Sequence, residues 1–305
     1  MFLPLAISLA VVAVFLFLFG PSCILGMVYI PHHKVGVLEK FWSSDGSLAE
    51  GSILAVDGRA GFQANLLRGG VHFGYFPWQY RVHRLPLVLV PEGEIGYVYA
   101  RDGLPLSPVQ TLGRVVDSNY FQDAVRFLGS GGQRGRQRAI LREGLYAVNS
   151  ALFVVVTRER IYAGPIRDRD GAKFDDWRTD LDAIDAFHPV VVGQTALSNG
   201  PVAQGARLSG ATGEVELDSA DTIGIVTVHD GAPIASGEII APEVAAVPGG
   251  RDHAYFQDPE AFLALGGRRG MQLQVLTNGT FFINRWFATV ETMPKTLIPI
   301  GYVGV

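Results

Sequence analysis

The chain has 305 residues, 48% of them hydrophobic, and 25 Lys and Arg against 29 Asp and Glu give a formal net charge of −4. A mildly acidic chain without a clustered basic face is excluded as a nucleic-acid binder, because phosphate neutralisation needs grouped Lys and Arg. One cysteine, Cys23, excludes an intramolecular disulfide framework and fits a reducing compartment.

At the amino terminus, residues 1–30 carry no charged side chain and residues 2–19 are almost wholly apolar. A hydrocarbon core of about 30 Å takes roughly 20 apolar helical residues, so residues 2–25 are predicted to span a membrane once, with Gly20-Pro21 as a break. No basic n-region or small-x-small site marks a cleaved signal peptide, and a retained transmembrane anchor over 1–29 is expected. Lys34, Lys40, Arg59 and Arg68 follow the anchor, which by the positive-inside rule places the bulk of the protein in the cytoplasm.

Next comes a box, Ile30-Pro31-x-x-x-Val35-Gly36-Val37, and then a thirteen-residue pattern G-x-x-G-x-Q-x-x-x-L-x-x-G at 58–70. An aromatic run over 72–80 follows. Phe73, Tyr75, Phe76, Trp78 and Tyr80, with His32 and His33 just past the anchor, suit a surface dipping into the lipid interface, where amphipathic rings are favoured; core packing is the plainer alternative.

The box recurs as Val90-Pro91-x-x-x-Ile95-Gly96-Tyr97. The apolar run over 95–100 and Asp102-Gly103 predict a β-hairpin with a tight turn. Residues 121–128 have helical spacing, with Asp123 near the start and glycine at the end. The second glutamine motif fills 132–144 and is followed by Asn149. Its glycine-rich opening, 129–135, lacks the Lys-Ser/Thr of a phosphate loop and follows a helix, so a structural turn is expected. Arg134, Arg136, Arg138 and Arg142 form a basic cluster for lipid headgroups or a neighbouring subunit. Segments 85–90, 152–157 and 281–290 add strands.

Residues 165–217 break the pattern and are expected to be an insertion or linker. Asp168, Asp170, Asp175, Asp176, Asp180, Asp182 and Asp185 do not have EF-hand spacing and read as a solvated helical face. A degenerate box then ends at Ile223-Gly224-Ile225, and His229-Asp230-Gly231 resembles a metal-phosphohydrolase pair. Its sister is Arg101-Asp102-Gly103, so the Asp is assigned to a turn and the His is incidental. Residues 256–265 repeat the helical pattern, 267–279 carry the third glutamine motif, Asn284 follows, and a further box fills 298–305 where the chain stops. A longer protein is expected on that account.

Chance does not give three such copies, and repeats of this kind cannot bury a hydrophobic face singly, so neighbours must pack. Gly61 with Gln63, Gly135 with Gln137 and Gly270 with Gln272 are assigned as a structural repeat motif, the amides holding a loop by hydrogen bonds to backbone. His72, His83, His188 and His253 have no ligand-like or triad-like spacing, and no nucleophile elbow, HExxH or paired thiols occur. No catalytic, cofactor or metal residue is assigned, and the protein is not expected to be an enzyme.

The box after an apolar amino-terminal segment, followed by Gly-x-x-Gly-x-Gln-x-x-x-Leu-x-x-Gly-x-Tyr-x-x-Asn over 132–149, resembles the SPFH or band-seven superfamily of stomatins, prohibitins and flotillins, and most of all the large bacterial flotillin-like proteins. The resemblance implies an α+β fold: an N-terminal transmembrane helix, then tandem β-rich SPFH-type repeat units each with a short helix. The domains expected are an anchor at 1–29, a first SPFH-like region at 30–164, the linker at 165–217 and a second SPFH-like region at 218–305. The implied function is a membrane-anchored scaffold subunit forming a large homo-oligomeric ring or cage that organises a membrane microdomain, with membrane lipid and a membrane protease or other membrane protein as partners. A membrane-anchored hydrolase with dispersed catalytic residues and a monomeric lipid-binding module are the alternatives; they predict a polar cleft and a closed apolar pocket.

Overall fold

One pairing scheme recurs three times in the computed structural model, which describes residues 20, 23, 25–48, 50–166, 171–193, 221–244, 252–296 and 301. In the first repeat the box strand β2 (Lys34–Lys40) lies between β4 (Gly61–Leu67), which carries the glutamine, and the closing strand β6 (Tyr80–Pro86); β3 (Leu54–Ala55) runs parallel to β4 on its outer side. The second repeat sets β8 (Gly96–Ala100) between β9 (Gly135–Leu141) and β11 (Phe153–Val156), with β12 (Ile161–Tyr162) beyond. The third sets β14 (Thr222–Val228) between β15 (Gly270–Met271) and β17 (Ala288–Pro294).

Each repeat also has a small antiparallel ribbon, made by the strand before the box and the strand opened by the last glycine of the motif. These are β1 (Val28–Ile30) with β5 (Gly70–His72), β7 (Val88–Val90) with β10 (Gly144–Tyr146), and β13 (Val190–Val192) with β16 (Gly279–Phe281). The registers Ile30↔Gly70, Val90↔Gly144 and Val192↔Gly279 coincide.

By contacts the chain divides into two units, residues 1–108 with 112–187, and 109–111 with 188–305. The first unit is closed by buried aromatics: the Phe127 and Phe153 rings meet edge to face at 4.9 Å and Phe121 joins them at 5.2 Å from Phe153. Burying each such ring is worth about 1.5–3 kcal/mol. In the second unit Phe256, Phe262 and Phe287 repeat the arrangement.

The α+β expectation is corrected, since strand far outweighs helix among the described residues, which hold three helices, α1 (Ala124–Gly129), α2 (Gly171–Ala183) and α3 (Pro259–Ala264). No helix is described in the first repeat. The helical patterns at 121–128 and 256–265 shorten to six residues because three preceding residues, Asn119 to Phe121 and Ala254 to Phe256, all have positive φ, so the helices start only at the Asp123 and Asp258 caps. The transmembrane anchor is corrected as well: among the described residues no helix is long and apolar enough to cross a membrane, and residues 1–19, where most of it was expected, lie outside them. With it goes the single-pass membrane location. Apolar composition states what a segment prefers to be buried in and does not by itself make a helix of spanning length.

The Asp102-Gly103 hairpin is also corrected. The strand that pairs with β8 on its glutamine side begins at Gly135, after a long loop and α1, so Asp102-Gly103 is not a two-residue turn. Within 165–217, α2 packs on the second repeat, where Phe174 is buried, Trp177 lies 5.5 Å from the Tyr99 ring and the Arg136 guanidinium sits 4.3 Å over Trp177. Phe187 meets the Tyr97 ring edge-on at 5.7 Å, and the Tyr97 hydroxyl donates to Ala186 O at 2.7 Å.

Candidate functional site

In every motif the glutamine side chain seals the turn before it. Gln63 Nε2 donates to Arg59 O and Gly61 O at 2.8 and 2.9 Å; Gln137 Nε2 to Gln133 O and Gly135 O at 2.7 and 2.9 Å; Gln272 Nε2 to Arg268 O and Gly270 O, both at 2.8 Å. Only an amide supplies two hydrogens from one uncharged nitrogen, which is why Gln and not Glu stands there. The fourth motif residue has φ of +130° at Gly61, +115° at Gly135 and +120° at Gly270, a region that excludes side chains.

Directly after the turn the glutamine strand bulges. Between the pairs Glu39↔Phe62 and Val37↔Leu66, Leu38 stands alone against Gln63, Ala64 and Asn65, and the second repeat slips equally between Tyr99↔Arg136 and Tyr97↔Ile140. Such a bulge leaves carbonyls outside the ladder. Asn149 of the second repeat takes them: its Nδ2 donates to Gln63 O and Ala64 O of the first, both at 3.0 Å, while its Oδ1 accepts Ala151 N–H at 3.1 Å. Asn284 Oδ1 likewise accepts Trp286 N–H at 2.9 Å.

Asp102 makes the second clamp. Its Oδ2 accepts the N–H groups of Ile53 and Leu54 in the first repeat at 2.6 and 3.1 Å, and its Oδ1 accepts Gly103 N–H at 2.7 Å. In the second unit Asp230 Oδ1 accepts Thr111 N–H at 2.9 Å. The donor positions match, because Ala55 bridges Gln63 in parallel as Gly113 bridges Gln137, placing Ile53 and Thr111 two residues before each bridge. The neighbouring Arg101 donates from Nη1 to Ser150 O at 2.7 Å and from Nη2 to Ala163 O at 2.6 Å. Where it has its sister, His229 Nε2 meets Thr289 Oγ1 at 3.1 Å and burial lowers its pKa.

The aromatic run is split. Phe73 and Trp78 are exposed, with Phe76 stacked on Trp78 at 4.8 Å, whereas Tyr75 and Tyr80 are half-buried and meet edge-on at 5.4 Å. Burial raises the Tyr75 pKa. His32 and His33 are exposed. The four arginines are not brought into one patch: Arg134 and Arg142 are exposed, Arg136 lies against Trp177, and Arg138 is buried. Asp168 and Asp170 lie outside the described residues, and among those described no group of three His, Cys, Asp or Glu could hold a metal ion.

Sequence reading passed over the ribbons. The middle pair of each faces outward, Tyr29 with Val71, Leu89 with Leu145, and Val191 with Thr280, and all five apolar members are at least half exposed. The signal lay in Val-Tyr-Ile, Val-Leu-Val and Val-Val-Val, where two inward residues flank one outward. A cleft of about 360 Å³ beside the Asp102 clamp is lined by residues that include Leu54, Asp57, Arg59 and Leu128.

Comparison of the chain with protein-family models, with curated proteins and with solved structures finds no match.

Proposed function

We propose that the chain is a non-catalytic scaffold subunit of the SPFH kind, whose copies associate into a large homo-oligomer that holds partner proteins. The observation that carries this reading is the exposed apolar residue recurring at the same ribbon position in each repeat, Tyr29, Leu89 and Val191, paired in the first two with a second, Val71 and Leu145. Apolar groups scattered singly on a surface need no explanation, but a set repeating with the fold's own period is what a repeated contact surface requires. The buried polar side chains at repeat-equivalent positions support it too: Gln63, Gln137 and Gln272, Asp102 and Asp230, and Asn149 are engaged in backbone hydrogen bonds that build the array.

Light scattering with negative-stain imaging of the purified full chain tests the reading. The expected result is a ring or cage many times the protomer mass that dissociates in the double variant Leu89→Glu, Leu145→Glu with an unchanged circular dichroism spectrum. A monomer at all concentrations in the unsubstituted chain rejects it.

A further inference from the structure

The third repeat displays, uncovered, the same backbone groups that the first repeat offers to the second. Ala241 bridges Gln272 in parallel as Ala55 bridges Gln63, so Ile239 and Ile240 correspond to Ile53 and Leu54, and Gln272 O and Leu273 O to the bulge carbonyls Gln63 O and Ala64 O. Leu54 is 4% and Ala64 3% exposed, whereas Ile240 is 43%, Leu273 60% and Ile239 87% exposed. No described residue accepts the Ile239 or Ile240 N–H or donates to Gln272 O or Leu273 O. Apolar side chains that are core in one repeat and open in another, beside donors and acceptors that no described residue pairs, mark a face built to be covered.

We propose that this face docks a further repeat of the same kind, whose Asp-Gly aspartate accepts the Ile239 and Ile240 amides and whose asparagine donates to Gln272 O and Leu273 O. The occupant is identified by an interface the chain already makes: Asp102 and Asn149 perform these contacts on the first repeat, and Asp230 performs the aspartate's part on Thr111. A second copy's first repeat does not fit the role. With Gly36 matched to Gly96, Trp42 and Ser43 stand where Asp102 and Gly103 would, and Tyr75 follows the last motif glycine where Asn149 would. This goes beyond the self-association reading and survives its failure, since the contact is between repeats and not between ribbons.

Hydrogen exchange read amide by amide tests it. The chain is extended after Ile298 by a copy of residues 91–187, which joins the second repeat to the last box in register. Exchange at Ile239 and Ile240 is expected to slow by about tenfold or more, and to return to its former rate when the aspartate copied from Asp102 is changed to alanine. Unchanged exchange at those two amides, with the appended repeat's own strands protected, overturns the proposal. Concentration-dependent protection in the unextended chain also overturns it, by showing that a second copy covers the face. A second arm needs no extension: Asp102→Ala in the chain itself is expected to speed exchange at Ile53 and Leu54, and retained protection there refutes the aspartate's role.

Discussion

His253 Nδ1 accepts the Phe256 N–H at 3.0 Å in the second unit, as Ser118 Oγ accepts the Phe121 N–H at 3.3 Å in the first. One position is filled by a hydroxyl that never titrates and the other by an imidazole that must stay neutral to accept.

A pH dependence follows. Burial lowers the His253 pKa from about 6.5, only partly offset by Asp252 and other neighbours. A histidine whose folded pKa lies below its unfolded value leaves stability intact above the unfolded pKa. Stability is then lost as pH falls from there, where the unfolded chain takes up a proton that the folded one refuses, until the folded pKa is reached. The melting temperature of the second unit is expected to fall between pH 7 and pH 5, and His253→Ser, which copies Ser118, is expected to flatten that slope. An identical slope in the variant would assign the effect elsewhere; His229, also lowered by burial, is the next group to test.

Gln137→Leu should destabilise the first unit by roughly 1–3 kcal/mol, because it strands the carbonyls of Gln133 and Gly135. Urea unfolding followed by circular dichroism should show a lower midpoint with an unchanged slope. Gln137→Glu should be worse still, since a buried carboxylate would face two carbonyls.

The left-handed residues before the helices cost strain that one substitution can relieve. Ala254 has φ +47° and an exposed side chain, so Ala254→Gly is expected to stabilise by about 1 kcal/mol, the reverse of the usual effect of glycine. A lower thermal midpoint in the variant would contradict this account.

Trp177→Ala removes the ring between Tyr99 and Arg136 and should loosen α2 by roughly 2 kcal/mol. Faster amide exchange across residues 171–183, with β4 unchanged, is the expected reading.

How much of this was legible beforehand differs by kind of contact. The repeats could be read from recurring letters, and the turn-sealing glutamines and the Asp123 and Asp258 helix starts because each is a local relation within four residues. Asp102-Gly103 was misread as a hairpin turn because its partners lie in another repeat, and a repeated residue announces its importance without naming what it touches. The charged run over 167–185, with seven aspartates in its sequence, hid the two side chains that matter, Phe174 and Leu181, which are buried. Arg136 and Arg138 looked like surface charge for the same reason: spacing on a strand that bulges does not fix which face a side chain takes.

The reach of Asn149, eighty-six residues on from Gln63, also has a temporal side. A chain made from its amino end leaves the first repeat's bulge unsealed until most of the second repeat has been synthesised. Loops of that span close slowly, so the two repeats are expected to gain their final stability together, as one late cooperative step and not in sequence.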